Sequence, residues 1–172
     1  MSARFKQTLG LIALAGFIIS FFIHILTYFG IDAATYLPPI WTLHIGIFVV
    51  FIPFVFTTQS LQKEHGRHAL RLIMADVPTW AKLLLGIIFA YTMVNFLLFI
   101  QLSEGGSPAI ENGRYILQSH GTFIRELTTS EYNWQLAYIT RGFSGHWLLF
   151  YAVPAAYFLF SDKQPSTTGA SN

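Results

Sequence analysis

The segment from Thr8 to Phe29 contains no charged side chain, and this uninterrupted apolar stretch constrains the fold more than any other feature. An α-helix rises about 1.5 Å per residue, so about 20 apolar residues cross the roughly 30 Å hydrocarbon core of a bilayer. Only 10% of the 172 residues are charged, whereas soluble domains average about 25%. The sequence therefore predicts an integral membrane protein, with the lipid bilayer as its main partner.

Three further segments repeat this pattern. The predicted membrane-spanning helices cover residues 8–29, 40–58, 80–102 and 143–160. We expect an all-α, up-down-up-down bundle of four transmembrane helices that forms a single membrane domain over residues 1–172. Pro53 and Pro154 fall inside two of the spans, where they predict kinks rather than breaks.

The basic residues lie outside the spans or, in the case of Lys82, at the end of one, and their distribution predicts the orientation of the chain. One side would carry Arg4, Lys6, Lys63, Arg67, Arg71, Lys82 and Lys163, and the other Arg114, Arg125 and Arg141. Lys and Arg are enriched in cytoplasmic loops. We therefore expect a multi-pass protein of the cell (inner) membrane with both termini in the cytoplasm. Basic residues placed in this way are topology signals, so no nucleic-acid partner is expected.

Residues 103–141 form the longest polar segment and would be a small extracytoplasmic cap. Alternation around Ser119-His120-Gly121 predicts a short β-hairpin. Thr128 and Glu131 match a capping box at the start of an interfacial helix. Further on, the segment RGFSGHW is expected to turn the chain inward to the last span, and its Gly142 and Gly145 would allow either close backbone approach or a bend.

Residues 61–77 would lie on the opposite, cytoplasmic side. Leu70, Ile73 and Val77 recur at helical spacing, with Arg67 and Arg71 across from them. This pattern predicts an interfacial amphipathic helix.

Three histidines fall at a similar depth in three different spans. His24, His44 and His146 fall within about one helical turn of the same level, below the outer surface, and Asn95 in the remaining span lies slightly deeper. The small and polar residues of the first span follow a spacing of three and four, and they are Ala13, Gly16, Ser20, His24 and Thr27. Such a stripe suits helix packing, so His24 should face the bundle.

A histidine inside a span is a functional-site hypothesis by default. One reading is a haem b site, in which two of these histidines ligate the iron and Arg141 or Arg125 lies near the propionates. A second reading is a quinone site with hydrogen bonds from polar side chains in an apolar slot. The side chains available to it are His24, His146, Asn95 and Trp147.

Two other hypotheses remain open for the same three histidines. His24, His44 and His146 together are suitable ligands for zinc or copper. Alternatively, each imidazole makes an ordinary hydrogen bond between helices and binds nothing.

The chain offers no complete catalytic set, so it is not expected to be an enzyme on its own. It contains no Cys, and Ser144 and His146 point in different directions on one helix, with no acid to orient them. The leading functional hypothesis is a haem or quinone site in membrane electron transfer. The alternative is a non-enzymatic accessory or assembly subunit of a membrane complex, which docks through its cap and the aromatic residues Tyr132 and Trp134.

Overall fold

The computed structural model describes residues 1–161, so Lys163, which entered the predicted orientation, lies outside the described residues. The helices are α1 (Ala3–Thr27), α2 (Ala33–Tyr36), α3 (Thr42–His65), α4 (Ala69–Ile73), α5 (Thr79–Leu102) and α6 (Thr129–Phe160). Two 3-10 turns, Pro38–Trp41 and Gly66–His68, flank α3. Within the described chain, four helical segments are long and apolar enough to cross a membrane, which confirms the predicted number of spans at the level of length and composition.

Helix α6 is the centre of the helical assembly, because it packs against α1, α5 and α3. Helix α1 also packs against α3, whereas no comparable packing joins α3 to α5 within residues 1–161. Near one end of α6, Leu159 lies beside Gly10 of α1. Near the other, Gln135 donates to the carbonyl of Leu102, where α5 ends. The long helices thus alternate in direction, and three of them surround the fourth.

The outward-facing surface of α5 is almost entirely apolar. Leu83, Ile87 and Leu97 are about two-thirds exposed, and the side chains of this helix that are buried are Ala81, Thr92 and Asn95. Large exposed apolar surfaces are unfavourable in water. Such a surface suits a helix that contacts lipid tails.

The small and polar stripe of α1 is buried along its whole length, which confirms that His24 faces the bundle. Small residues allow close helix contact. A Cβ atom added to Gly16 would overlap the ring of Tyr151, and one added to Gly46 would overlap the hydroxyl of the same side chain. That hydroxyl donates to the carbonyl of Leu43 at 2.7 Å. Tyr151 therefore fixes the junction of α1, α3 and α6.

The predicted hairpin is part of a larger sheet. Strands β1 (Ser107–Glu111), β2 (Arg114–Ser119) and β3 (Thr122–Glu126) form an antiparallel sheet in the order β1-β2-β3. His120 and Gly121 form the predicted turn, both with positive φ. Asn112 and Gly113, with φ of 50° and 75°, form a second turn of the same kind. An Asn-Gly pair is the strongest short-range signal for a hairpin, so the sequence also contained a signal for the hairpin of β1 and β2.

The expected inward turn at RGFSGHW is wrong, since α6 continues unbroken from Thr129 to Phe160. At about 1.5 Å per residue this helix is about 48 Å long, so the interfacial helix and the last span are one element. Thr128 and Glu131 do form the predicted capping box. Of the two roles expected for Gly142 and Gly145, the structure has close packing and not a bend, because added Cβ atoms would collide with Phe99 and Asn95 respectively.

The predicted helix over residues 61–77 is also corrected. Helix α3 extends to His65, a 3-10 turn follows, and α4 contains only five residues. Gly66 interrupts the helix with a φ of 48°. Ile73 and Val77 are buried as their spacing indicated, but Leu70 is 67% exposed.

Candidate functional site

His24 is the centre of a buried polar network that connects three helices. Its side chain is 3% exposed. Its Nδ1 atom lies 2.7 Å from Oγ of Ser144 on α6, and its Nε2 atom is hydrogen-bonded to the hydroxyl of Tyr91 on α5. The Tyr91 hydroxyl in turn lies 2.6 Å from that of Tyr28, which follows α1 and is exposed. The network therefore runs from the protein interior to its surface.

One arrangement of protons satisfies every group in this chain. Ser144 donates to the carbonyl of Arg141 at 3.3 Å, so its oxygen is free to accept from Nδ1–H of a neutral His24. The Nε2 atom then accepts from Tyr91, which accepts from Tyr28. The other neutral tautomer of His24 is also satisfied, with Ser144 donating to Nδ1, Nε2–H donating to Tyr91 and Tyr91 donating to Tyr28. In that arrangement the Tyr28 hydroxyl is free to donate outward.

Arg141 lies beside this network, largely enclosed between aromatic rings. Its side chain is 8% exposed, and its guanidinium carbon is 5.2 Å from the ring centre of Tyr28 and 5.0 Å from that of Tyr138. Among residues 1–161 no carboxylate forms an ion pair with it. Cation–π contacts thus stabilise a positive charge at the surface end of the network.

Asn95 and Thr92 link α5 to the backbone of α6 at the same level. The Asn95 amide donates to the carbonyl of Arg141 at 3.1 Å. The Thr92 hydroxyl is shared between the carbonyl of Ile88 in its own helix, at 2.8 Å, and that of Gly145, at 3.2 Å. Both bonds to the α6 backbone require α5 to approach α6 closely. The absence of a side chain at Gly145 permits that approach, since a Cβ atom there would overlap the Asn95 amide.

The other two histidines reach the same segment of α6 without meeting His24. His44 is exposed, and its Nδ1 atom accepts from the indole N–H of Trp147 at 3.1 Å. His146 is bonded to the carbonyl of Gly142 within its own helix and packs against Phe96. On α6, His146 projects about 160° away from Ser144, the partner of His24. The three histidines lie at nearly the same level of the bundle, but their imidazole rings do not point at one another.

This arrangement bears directly on the metal and haem hypotheses. Within residues 1–161 no three His, Asp or Glu side chains gather in a way that could hold a metal ion. Both ring nitrogens of His24 already have hydrogen-bond partners, so ligation of a haem iron would first have to break one of these bonds. Five cavities of about 270–640 Å³ in the described chain are lined by residues other than the three histidines.

Arg125 does not approach the histidines but attaches the sheet to the helices. Its guanidinium forms two bonds to Glu104, of 3.0 and 2.8 Å, and one of 2.8 Å to Glu131 at the start of α6. The hydrogen bond from Arg125 lowers the pKa of Glu104 below its usual value, and the two carboxylates raise the pKa of Arg125. All three groups therefore remain charged at neutral pH.

Tyr28, Tyr91 and Ser144 belong to the network but were not predicted from the sequence. A signal was present for two of them, since Tyr28 lies four residues after His24 and Tyr91 four residues before Asn95, which places each pair on one helix face. Asp32 was also missed. Its buried carboxylate accepts from the Thr140 hydroxyl and from two N–H groups of α2, which fixes the loop after α1 to α6.

These features define a helical protein with four helices suited to a membrane, a polar junction inside them and a small sheet at one end. Comparison with protein-family models, curated proteins and solved structures found no match to this chain.

Proposed function

We propose that this chain is a non-enzymatic accessory subunit of a membrane complex, and that it docks a partner protein through the edge of its sheet. In this proposal the sheet lies outside the cell membrane and both termini lie in the cytoplasm. The basic residues at the opposite end of the helices support that orientation through the positive-inside rule.

The observation that carries the proposal is the exposed apolar edge of β3. Phe123 is 57% exposed and Ile124 is 40% exposed. Within residues 1–161 strand β3 pairs only with β2, so backbone groups along its other side are available for a further strand. A partner can pair with such an edge and cover its apolar side chains. The Arg125 bonds to Glu104 and Glu131 hold this edge in place, so little ordering is needed on binding.

The aromatic residues expected to dock a partner make contacts within the protein, although Trp134 remains 37% exposed. The Tyr132 ring packs on that of Tyr115 with 4.5 Å between centres. The Trp134 ring lies about 3.1 Å from the position that a Cβ atom on Gly30 would occupy. These contacts favour β3 over the start of α6 as the docking surface.

We expect a photo-crosslinking amino acid at position 123 to give one discrete adduct with a partner protein in native membranes. The matched control is the same amino acid at position 110, because Ile110 is 59% exposed but lies on β1, the opposite edge strand. The adducts are detected as a shift in apparent mass and identified by mass spectrometry. Identical adducts at both positions, or none at position 123 in folded protein, would contradict docking at β3.

A second candidate function is binding of a quinone at the surface end of the polar network, and the hydrogen-bonded chain of His24, Tyr91 and Tyr28 favours it. When His24 is in the tautomer that donates from Nε2–H to Tyr91, the Tyr28 hydroxyl is free to donate to a quinone carbonyl. Arg141 provides a positive charge beside that position.

For this candidate we expect a short-chain quinone to quench the tryptophan fluorescence of the purified protein, and Tyr28→Phe to weaken its binding about tenfold. Loss of one hydrogen bond that is made only to the ligand accounts for that magnitude. Tyr36→Phe is the matched control, since Tyr36 is exposed and outside the network. Equal affinities for both variants and the unaltered protein would exclude Tyr28 as the donor.

A further inference from the structure

A large groove lies at the end of the helices opposite the sheet, between α5 and the segment of residues 67–74. Its volume is about 640 Å³. The groove exists because α3 and α5 each pack on α6 but not closely on each other, so Leu149 and Val153 of α6 form its floor. We propose that this groove binds an anionic glycerophospholipid.

Three cations surround the groove and supply the charge complementarity for a phosphate group. They are Arg67 in the 3-10 turn, Arg71 in α4 and Lys82 in the first turns of α5. All three are exposed, and none forms an ion pair with a carboxylate among residues 1–161. Arginine forms paired hydrogen bonds to phosphate oxygens, and lysine adds a further positive charge.

The remainder of the groove is apolar, as the acyl chains of a lipid require. Leu85 and Phe89 of α5 lie on one side, and Met74 lies on the other. A free phosphate ion would gain nothing from these walls, whereas a phospholipid would place its head group among the cations and its chains along α5. Basic pockets between membrane helices bind anionic lipids in this manner.

A larger side chain at position 86 would fill the groove without changing its charge. Gly86 lines the groove, and a Cβ atom added to it would meet no other atom of the described residues within 4 Å. Gly86→Leu would therefore place its side chain into the open space while leaving the packing of α5 against α6 intact.

The test measures lipid retention by native mass spectrometry, with the purified chain in detergent and equimolar phosphatidylglycerol and phosphatidylcholine. We expect the unaltered protein to retain phosphatidylglycerol at least about tenfold in preference, since each cation near an anionic head group strengthens binding about fivefold. Arg67→Gln/Arg71→Gln/Lys82→Gln should abolish the preference. Gly86→Leu should reduce the retained lipid about tenfold with all charges present.

The matched control is Arg4→Gln/Lys6→Gln/Lys63→Gln, which removes three charges from the same end outside the groove. It should retain the preference. If this control lost the preference for phosphatidylglycerol as fully as Arg67→Gln/Arg71→Gln/Lys82→Gln, lipid binding would depend on overall charge and not on the groove. If Gly86→Leu retained as much lipid as the unaltered protein, the lipid would bind elsewhere. Either result would overturn the proposal.

Discussion

Gly145→Ala should lower the free energy of unfolding by about 2–4 kcal/mol, although it adds a single methyl group. The added Cβ atom would overlap the Asn95 amide, and forcing extra volume into a packed interface costs about 1–3 kcal/mol. Displacement of α5 would also weaken the bonds from Thr92 and Asn95 to the α6 backbone. Bonds of this type contribute about 0.6 kcal/mol each on average. Reversible unfolding in mixed detergent micelles provides the measurement.

The control for Gly145→Ala is Gly86→Ala, which makes the same chemical change in a neighbouring helix. A Cβ atom at position 86 meets nothing, so we expect no loss and a gain of up to about 1 kcal/mol from helix propensity. In addition, Asn95→Ala should partly rescue Gly145→Ala, because it removes the atom that collides. A Gly145→Ala protein as stable as the Gly86→Ala protein would show that α5 and α6 are not in close contact at this level.

His24→Ala should cost about 3 kcal/mol of stability, whereas His44→Ala should cost about 1 kcal/mol and His146→Ala less than that. His24 is buried and bonded to both Ser144 and Tyr91, so its removal combines two lost hydrogen bonds with a cavity. His44 is exposed but accepts one hydrogen bond from the buried Trp147, so its removal leaves that indole N–H without this acceptor. His146 is bonded only within its own helix. The same unfolding titration compares the three variants.

The pattern of these three losses also distinguishes a structural layer from a shared cofactor site. If one metal or haem joined His24 to His44, their variants would lose stability and bound cofactor together. Unequal losses, with His24 far the largest, indicate interhelical hydrogen bonding. A His44→Ala protein that is destabilised as much as His24→Ala would contradict the separate environments described for these side chains.

The depth of the histidines could be predicted from the sequence, because depth in a straight helix depends only on residue count and rise. His24 is bonded to Ser144 and His44 to Trp147, which is only three residues further along α6, so both histidines lie at nearly the same level. Whether the imidazoles meet could not be predicted in this way. It depends on the rotation of each helix and on the identity of its neighbours, and here His146 points away from the side of α6 that contacts His24.

The glycines of RGFSGHW illustrate the same limit. Glycine at these positions is compatible with a bend or with close helix packing, and local sequence alone does not distinguish the two. Phe99 and Asn95 of α5 lie opposite Gly142 and Gly145, so the glycines allow α5 and α6 to pack closely. Those residues lie more than 40 positions earlier in the chain, so the information is tertiary.

The sequence by itself determined the four apolar helices, the buried stripe of α1 and the capping box at Thr128, because each follows from hydrophobicity or from contacts a few residues apart. Only the tertiary structure decided that α6 is the central helix, that His24 bonds to Ser144 and Tyr91, and that a basic groove remains open between α4 and α5. Nearly all residues of these spans are apolar, so hydrophobicity hardly distinguishes one helix face from another. Their packing is set by small residues and a few polar bonds, whose partners come from distant parts of the chain.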